Sequence, residues 1–485
     1  LSNMFPTLET RLFINNEFVE SKSEETYKLY NPATDEFVAD VQQAGREDVD
    51  AAVDAAQAAF PAWRDTPVHM KAAMFNKLAG LINENKEELW NLERVAMGRT
   101  FGFAHFEVMA CAGIMAQHAN IALHVQGQSS LNTPGMINFT LRQPFGVVAG
   151  ILPWNVSLIM FAMKTAPALA TGNCVLIKSS EKSPLGVLKL AALFKEAGFP
   201  AGVLNVITGT GPLSGSLVAS HMKIRKISFT GSVATGKKIM AASANSNLKK
   251  VTLELGGKSP AIIFDDADIE KAARAVHMSI HLNSGQHCQA NSRVFVHAAI
   301  AEEFTDLLKK LMTTPSIGDP CDRSIFQGPQ GDKIQKERIV SILEQGKGDG
   351  EVICGGQAAD GNFIEPTIIA NVPDTSILAT EEIFGPVVIV NTFQTDEEVL
   401  KRANDSEFGL YSSLYTKDVE RALKFAKFLE AGAVGLNCSA PTQGLDMPVS
   451  GWKQSGIGSE MHMYGVENYL QTKAVYMKYE DVSMH

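Results

Sequence analysis

The sequence predicts an α/β protein: two layered α/β units and a small β element. Strand-like and helix-like segments alternate through most of the 485 residues. Glycine turns follow some strand-like runs and open helix-like ones. The run Tyr469–Tyr476 has strand character but stands outside that alternation.

In chain order, residues 47–61 read as an amphipathic helix, and 68–95 as one helix or more. Gly146–Leu152 is an apolar run suited to a buried strand. Residues 158–170 read as a helix and Cys174–Lys178 as a strand. Leu185–Ala197 is a helix stopped by Gly198 and Pro200. Strands at Val203–Ile207 and Lys226–Thr230 follow, then a helix over 233–244. This is the rhythm of a Rossmann-like nucleotide-binding unit. Past Gly256 a second unit begins with a strand at Pro260–Phe264. Asp268 then caps a helix whose apolar positions 269, 272, 273, 276 and 280 share one face. Arg293–Val296 reads as a strand and 299–312 as a helix. The alternation resumes after about residue 360. The tail strand is suited to pairing with an edge strand of a partner chain.

Bulk properties exclude several classes. A net charge of −10 argues against general affinity for nucleic acid or anionic membranes. The longest apolar stretch, Phe145 to Met163, is broken by Pro153 and Asn155, so no membrane span is expected. Cysteines at 111, 174, 288, 321, 354 and 438 form no C-x-x-C pair, which predicts neither a metal site nor a disulfide framework. A reducing, cytoplasmic setting fits. Leu1-Ser2-Asn3-Met4 has neither the basic start nor the apolar run of a secretory leader.

Cys288 lies in Asn283-Ser284-Gly285-Gln286-His287-Cys288-Gln289-Ala290, and Glu254 precedes Leu255-Gly256-Gly257-Lys258. A thiol among glycine and polar residues suits a nucleophile, and a carboxylate beside two glycines suits a base. Each residue also has a plainer reading, since a lone cysteine is commonly a small buried hydrophobe. Pro153-Trp154-Asn155 ends a strand, where an amide N–H can face an oxyanion or simply form a turn. Lys178-Ser179-Ser180-Glu181 ends the next strand, where both charged groups can hold ribose hydroxyls or pair with each other. Phe229-Thr230-Gly231-Ser232-Val233-Ala234-Thr235-Gly236 turns from strand to helix, a geometry that suits a pyrophosphate. Gly209-Thr210-Gly211 is a second such turn. Glu382-Ile383-Phe384-Gly385-Pro386 sets a carboxylate and a ring before a rigid turn.

In this order and spacing, these motifs resemble the aldehyde dehydrogenase superfamily, from about Leu12 to Tyr476. Asn31-Pro32-Ala33-Thr34 and Lys453-x-Ser455-Gly456-x-Gly458 also match. The resemblance implies a Rossmann-like cofactor domain (1–123 and 145–256), a catalytic α/β domain (257–465) and oligomerisation strands (124–144 and 466–485). It implies Cys288 as nucleophile, Glu254 as general base, and Asn155 with the Cys288 backbone N–H as oxyanion donors. Lys178 and Glu181 are implied at the adenosine ribose, Gly231 and Ser232 at the pyrophosphate, Glu382 at the nicotinamide ribose and Phe384 beside the nicotinamide. Trp154, Gly211 and Leu255 complete the implied cofactor set. The implied reaction passes from a thiohemiacetal through hydride loss to a thioester, which water activated by Glu254 hydrolyses to a free acid. Glu181 favours NAD, with NADP also admitted.

Val156, Met160, Met163, His287, Gln289 and the loop Ser439–Met447 are expected to line a substrate tunnel for an apolar or aromatic aldehyde. Four serines depart from the family pattern: Ser157 and Ser179 at frequent prolines, Ser450 at a glycine and Ser459 at an arginine. Self-association as a dimer or tetramer is expected. A cofactor-free esterase or acyl-transfer enzyme using Cys288 is a second reading. A structural protein reusing the fold is a third, and it predicts loss of Cys288, Glu254 or Asn155.

Overall fold

Five parallel strands form the centre of an eight-stranded sheet. Their order across it is Leu204–Ile207, Cys174–Lys178, Val147–Ile151, Lys226–Thr230 and Lys250–Glu254. The first of these in the chain is central; the next two lie to one side and the last two to the other. A crevice therefore opens between the C-terminal ends of Val147–Ile151 and Lys226–Thr230, where doubly wound sheets bind ligands. These two strands and Cys174–Lys178 are buried throughout; Val147–Ile151 is apolar along its length, whereas Lys226–Thr230 buries Lys226, Ser228 and Thr230 along with Ile227 and Phe229. Antiparallel strands close both edges: Leu12–Ile14 with Glu17–Val19 on one, Gly456–Ile457 on the other. The computed structural model describes residues 8–441 and 444–479.

The second sheet has seven strands, in the order Glu351–Cys354, Thr367–Ala370, Val387–Phe393, Asn291–His297, Ser259–Ile263, Tyr411–Tyr415 and Ala433–Leu436. All pairings are parallel except the outermost, Glu351–Cys354. Separate apolar clusters lie on its faces, one around Val276, Phe304 and Val294, another around Phe264, Phe393 and Phe425.

The expected helices form close to their expected limits, among them Arg46–Asp65, Ser157–Ala170, Leu185–Ala197, Val233–Ala244 and Ile269–His281. The Asp268 side chain accepts the Lys271 N–H and caps the last of these. Residues 68–95 divide into Val68–Glu84 and Lys86–Met97. A long helix that the sequence reading passes over, Phe101–Ile121, packs against Val68–Glu84 and Ser157–Ala170.

The tail strand Leu470–Lys478 pairs antiparallel within the chain, along its whole length, with Met136–Pro144. Ser129–Ser130 adds a third strand on the far side. Among the described residues, the other edge of Leu470–Lys478 has no strand beside it. No helix there is long and apolar enough to cross a membrane. The opening Leu1–Met4, and Thr442 and Gln443 within the expected tunnel loop, lie outside the described residues.

Candidate active site

Only four residues, Leu255-Gly256-Gly257-Lys258, join the first sheet to the second. They run along a cleft of about 1110 Å³. C-terminal strand ends of the first sheet supply one side: Trp154 and Asn155, Lys178 and Glu181, Gly231 and Ser232, and Glu254. Segments leading into strands of the second sheet supply the other: Cys288, Glu382 and Phe384. Leu255 and Gly211 also line it.

The linker glycines are needed for close approach. A Cβ on Gly256 would stand 2.4 Å from Glu382 Oε2, and one on Gly257 would stand 2.3 Å from the Cys288 carbonyl oxygen. The Gly257 N–H donates to Glu382 Oε1 at 2.9 Å. The linker thus presses both the Cys288 backbone and the Glu382 carboxylate into place.

Glu254 ends its strand at 2% exposure. Neither of its carboxylate oxygens accepts a hydrogen bond from a protein donor within ordinary geometry. Burial pushes its carboxyl up to about 7; the neighbouring Cys288 thiol, Lys164 and the Thr230 hydroxyl oppose that rise, while Glu460 adds to it. Burial, and then the Glu254 charge, raise the Cys288 thiol well above its ordinary value. His287 is pushed down to about 4 by burial, so at neutral pH it carries no charge to assist the thiol. Its Nδ1 is buried without a partner.

The Asn155 Nδ2 donates to the Gln286 carbonyl at 3.0 Å. Asn283 and Ser284, at the start of the nucleophile loop, have left-handed backbones with φ of 52° and 57°. Ser284 Oγ donates to the Gly328 carbonyl at 2.8 Å, and Gln286 Oε1 accepts the Gly331 N–H at 2.7 Å. Phe384, also left-handed at φ 60°, meets the Trp154 ring edge-on at 5.4 Å between centroids. Lys178 Nζ lies 3.2 Å from Glu181 Oε2; burial lowers the lysine's proton affinity and Glu181 partly restores it.

The aldehyde dehydrogenase family matches residues 18–475. The chain belongs to this family. An aldehyde dehydrogenase of Alternaria alternata is 41% identical, over 98% of this chain and 96% of that one. Human retinal dehydrogenase 2 is 41% identical, over 98% and 93%. The NAD+ complex structure of an aldehyde dehydrogenase from Bacillus cereus superposes with a TM-score of 0.96 at 40% identity, covering 99% of this chain and 98% of its own.

In this aldehyde dehydrogenase family member, the expected tunnel residues are less concentrated than the cofactor residues. Val156 lines the cleft. Met160 and Met163 are buried in the large core cluster, and His287 and Gln289 are half-buried beside Cys288; these four do not line the cleft.

The departures from the family pattern acquire partners. Ser450 and Ser459 stand opposite each other in a short antiparallel pair, and Ser450 Oγ donates to Ser459 Oγ at 2.7 Å. They are one coupled feature. Ser157 Oγ donates to buried Glu93 at 2.9 Å. Ser179 is buried, with its Oγ 3.5 Å from the Ile207 carbonyl.

Sequence reasoning missed the charged groups behind the site. Lys164 pairs with Glu460 at 2.9 Å, both buried within electrostatic reach of Glu254. A lysine inside an apolar helix was the available signal for that pair. Arg99 was also missed, and a single arginine after a glycine carries no signature of its contacts.

Proposed function

We propose that this chain oxidises an aldehyde to a carboxylic acid with NAD, through a thioester on Cys288. One observation carries the reading: Cys288, Asn155 and Glu254 meet in the cleft that also holds Lys178, Glu181, Gly231, Ser232, Glu382 and Phe384.

A dinucleotide fits the residues present. The cleft is large, and Gly256 lacks the Cβ that would stand 2.4 Å from Glu382 Oε2, so that carboxylate can lie against the linker at the cleft's edge. The Val233–Ala244 helix opens onto it at Ser232, whose hydroxyl accepts the Thr235 N–H at 3.3 Å. Such a helix start offers unpaired N–H groups to a pyrophosphate. Lys178 and Glu181 would hold the adenosine ribose, Glu382 the other ribose, and Trp154, Gly211, Leu255 and Phe384 the flanking surfaces. The Bacillus cereus relative is described as an NAD+ complex. Glu181 favours NAD over NADP because its carboxylate would repel a 2′-phosphate.

The Cys288 thiol passes its proton to the neighbouring Glu254, which releases it to solvent, and the sulfur attacks the aldehyde carbon. The resulting alkoxide is met by the Asn155 amide and the Cys288 N–H. The chemistry supplied by bound NAD is acceptance of a hydride. Glu254 then takes a proton from water, which attacks the Cys288 thioester, releases the acid and restores the thiol.

We further propose an apolar or aromatic aldehyde, taken beside Val156 and Cys288, with Met160, Met163, His287 and Gln289 reached only beyond the present cleft lining. Methionines adapt to varied apolar shapes, and His287 is neutral. The human relative's name, retinal dehydrogenase, supports this class. A division into 1–123 with 145–256, 257–465, and 124–144 with 466–485 is part of the proposal; the grouping of strands into three main sheets supports it, although Gly456–Ile457 pairs with the first sheet. Self-association through Leu470–Lys478 is supported by its open edge and by exposed Tyr476 and Met477.

The test is NADH formation across a panel of aliphatic, aromatic and carboxylated aldehydes, with NADP in parallel and Cys288→Ala as control. NADH with apolar or aromatic aldehydes, abolished in the control, is expected. No NADH with any aldehyde rejects the reading.

A further inference from the structure

We propose that Arg99 is a positioning residue: acting through Asn283, it holds the Asn155 amide and the Cys288 backbone N–H in one fixed relation. The inference rests on the reading of those two groups as the oxyanion donors.

Arg99 is 1% exposed. It follows the helix Lys86–Met97 and lies outside the cleft lining. Its Nη2 donates to the Trp154 carbonyl at 2.5 Å, immediately before Asn155. Its Nη1 donates to Asn283 Oδ1 at 2.8 Å, at the start of the nucleophile loop. Asn283 Nδ2 then donates to the Asn155 carbonyl at 3.0 Å and the Gln286 carbonyl at 3.1 Å. The Gln286 carbonyl also receives the Asn155 side-chain amide. One guanidinium thus clamps the strand end that carries Asn155 to the loop that carries Cys288.

The clamp is itself fixed from behind. Arg99 Nε stands 3.8 Å from Glu93 Oε2 and 3.6 Å from Glu107 Oε2, all with fully buried side chains. Glu107 Oε1 accepts the Leu158 N–H at 2.8 Å, so it holds the start of the helix that follows Asn155. Glu93 accepts the hydroxyls of Ser157 and Ser183. Ser157 therefore feeds the carboxylate behind Arg99.

Two physical points favour positioning over simple packing. The left-handed backbones of Asn283 and Ser284 persist only where surrounding contacts over-determine them. A planar guanidinium can serve two diverging acceptors at once, which a single ammonium cannot do in the same geometry.

A double-mutant cycle tests this, with kcat, the KM for NAD and for aldehyde, and Tm measured on Arg99→Met, Arg99→Lys, Asn155→Ala and the Arg99→Met/Asn155→Ala pair. Arg99→Met is expected to lower kcat on the order of 10- to 100-fold, with the KM for NAD within about twofold. In the Asn155→Ala background the same change should cost less than about threefold, because the group it positions is gone. Arg99→Lys should fall between wild type and Arg99→Met. Equal losses in both backgrounds, or an altered Tm with wild-type kcat, overturn the proposal. Should Arg99→Met fail to fold, Asn283→Asp carries the same cycle: it keeps the acceptor for Arg99 and loses both Nδ2 donations. Wild-type turnover in Asn155→Ala alone rejects the oxyanion reading itself, and the proposal with it. A large loss there with an additive cycle rejects only the role of Arg99.

Discussion

The side-chain amide of Asn155 donates to the backbone carbonyl of Gln286 at 3.0 Å, two residues before Cys288. An amide nitrogen has two N–H groups. The first fixes the amide's orientation against the Cys288 loop; in the proposed reaction the second meets the oxyanion. Asn155→Ala should therefore lower kcat on the order of 10²- to 10³-fold. Asn155→Asp should do no better than alanine, since it loses both donors and sets a carboxylate against the Gln286 carbonyl and the oxyanion. Steady-state kinetics at saturating NAD check both; near-normal turnover in either variant removes Asn155 from the chemistry.

Glu254 sets a second expectation. Its carboxyl is pushed up to about 7 by burial, so the basic form accumulates only as the pH rises through that value. The hydrolytic step should gain rate with pH, with a midpoint near 7. Glu254→Gln should flatten the profile and show a burst of NADH followed by slow turnover. A profile unchanged in the variant would assign the base elsewhere.

The same shift bears on stability. The folded value, about 7, lies above the ordinary 4.5, so the folded state binds the extra proton between these limits. The stability that this proton contributes is present below about pH 4.5 and is lost as the pH rises through about 7. Relative to Glu254→Gln, wild type should lose Tm progressively from pH 5 to pH 8. Parallel melting curves across that range would show that Glu254 does not carry this linkage.

Gly257 separates geometry from chemistry. An added methyl there would stand 2.3 Å from the Cys288 carbonyl, so the nucleophile's backbone must move. A displacement of about 1 Å in a reacting group can cost about 100-fold. Gly257→Ala should reduce kcat by at least about tenfold while Cys288 remains open to alkylation. Wild-type kcat would show that the loop absorbs the shift.

The parts of the fold that follow local rules were legible in the sequence. Val147–Ile151 is an apolar run closed by turn residues, and Asp268 marks its helix by capping chemistry. Phe101–Ile121 was not legible because it is buried on most of its faces, from Phe103 to Ile121, and so shows no polar stripe. At the site, Cys288 and Glu254 stood in recognisable strings, and Asn283 opens the Cys288 string. Arg99 and Glu93 did not, because their contacts span 184 and 64 positions of sequence, which no local pattern encodes. The serines at 450 and 459 looked like separate departures until the chain folded them into one hydrogen bond.

The proposed preference for NAD rests on Glu181, which is partly exposed and paired with Lys178. Glu181→Gln should raise kcat/KM for NADP relative to NAD, by removing a negative charge from the 2′-phosphate's surroundings. An unchanged ratio would place cofactor discrimination on other residues.

The proposed reaction turns on a thioester on Cys288 that Glu254 clears with water. The most direct measurement is peptide mass spectrometry of Glu254→Gln, quenched after incubation with NAD and an aldehyde that the wild type oxidises. The Cys288 peptide should carry the acyl group of that aldehyde, and omission of NAD should leave it unmodified. NADH formation with an unmodified Cys288 peptide, or with the acyl group on another residue, would contradict the account.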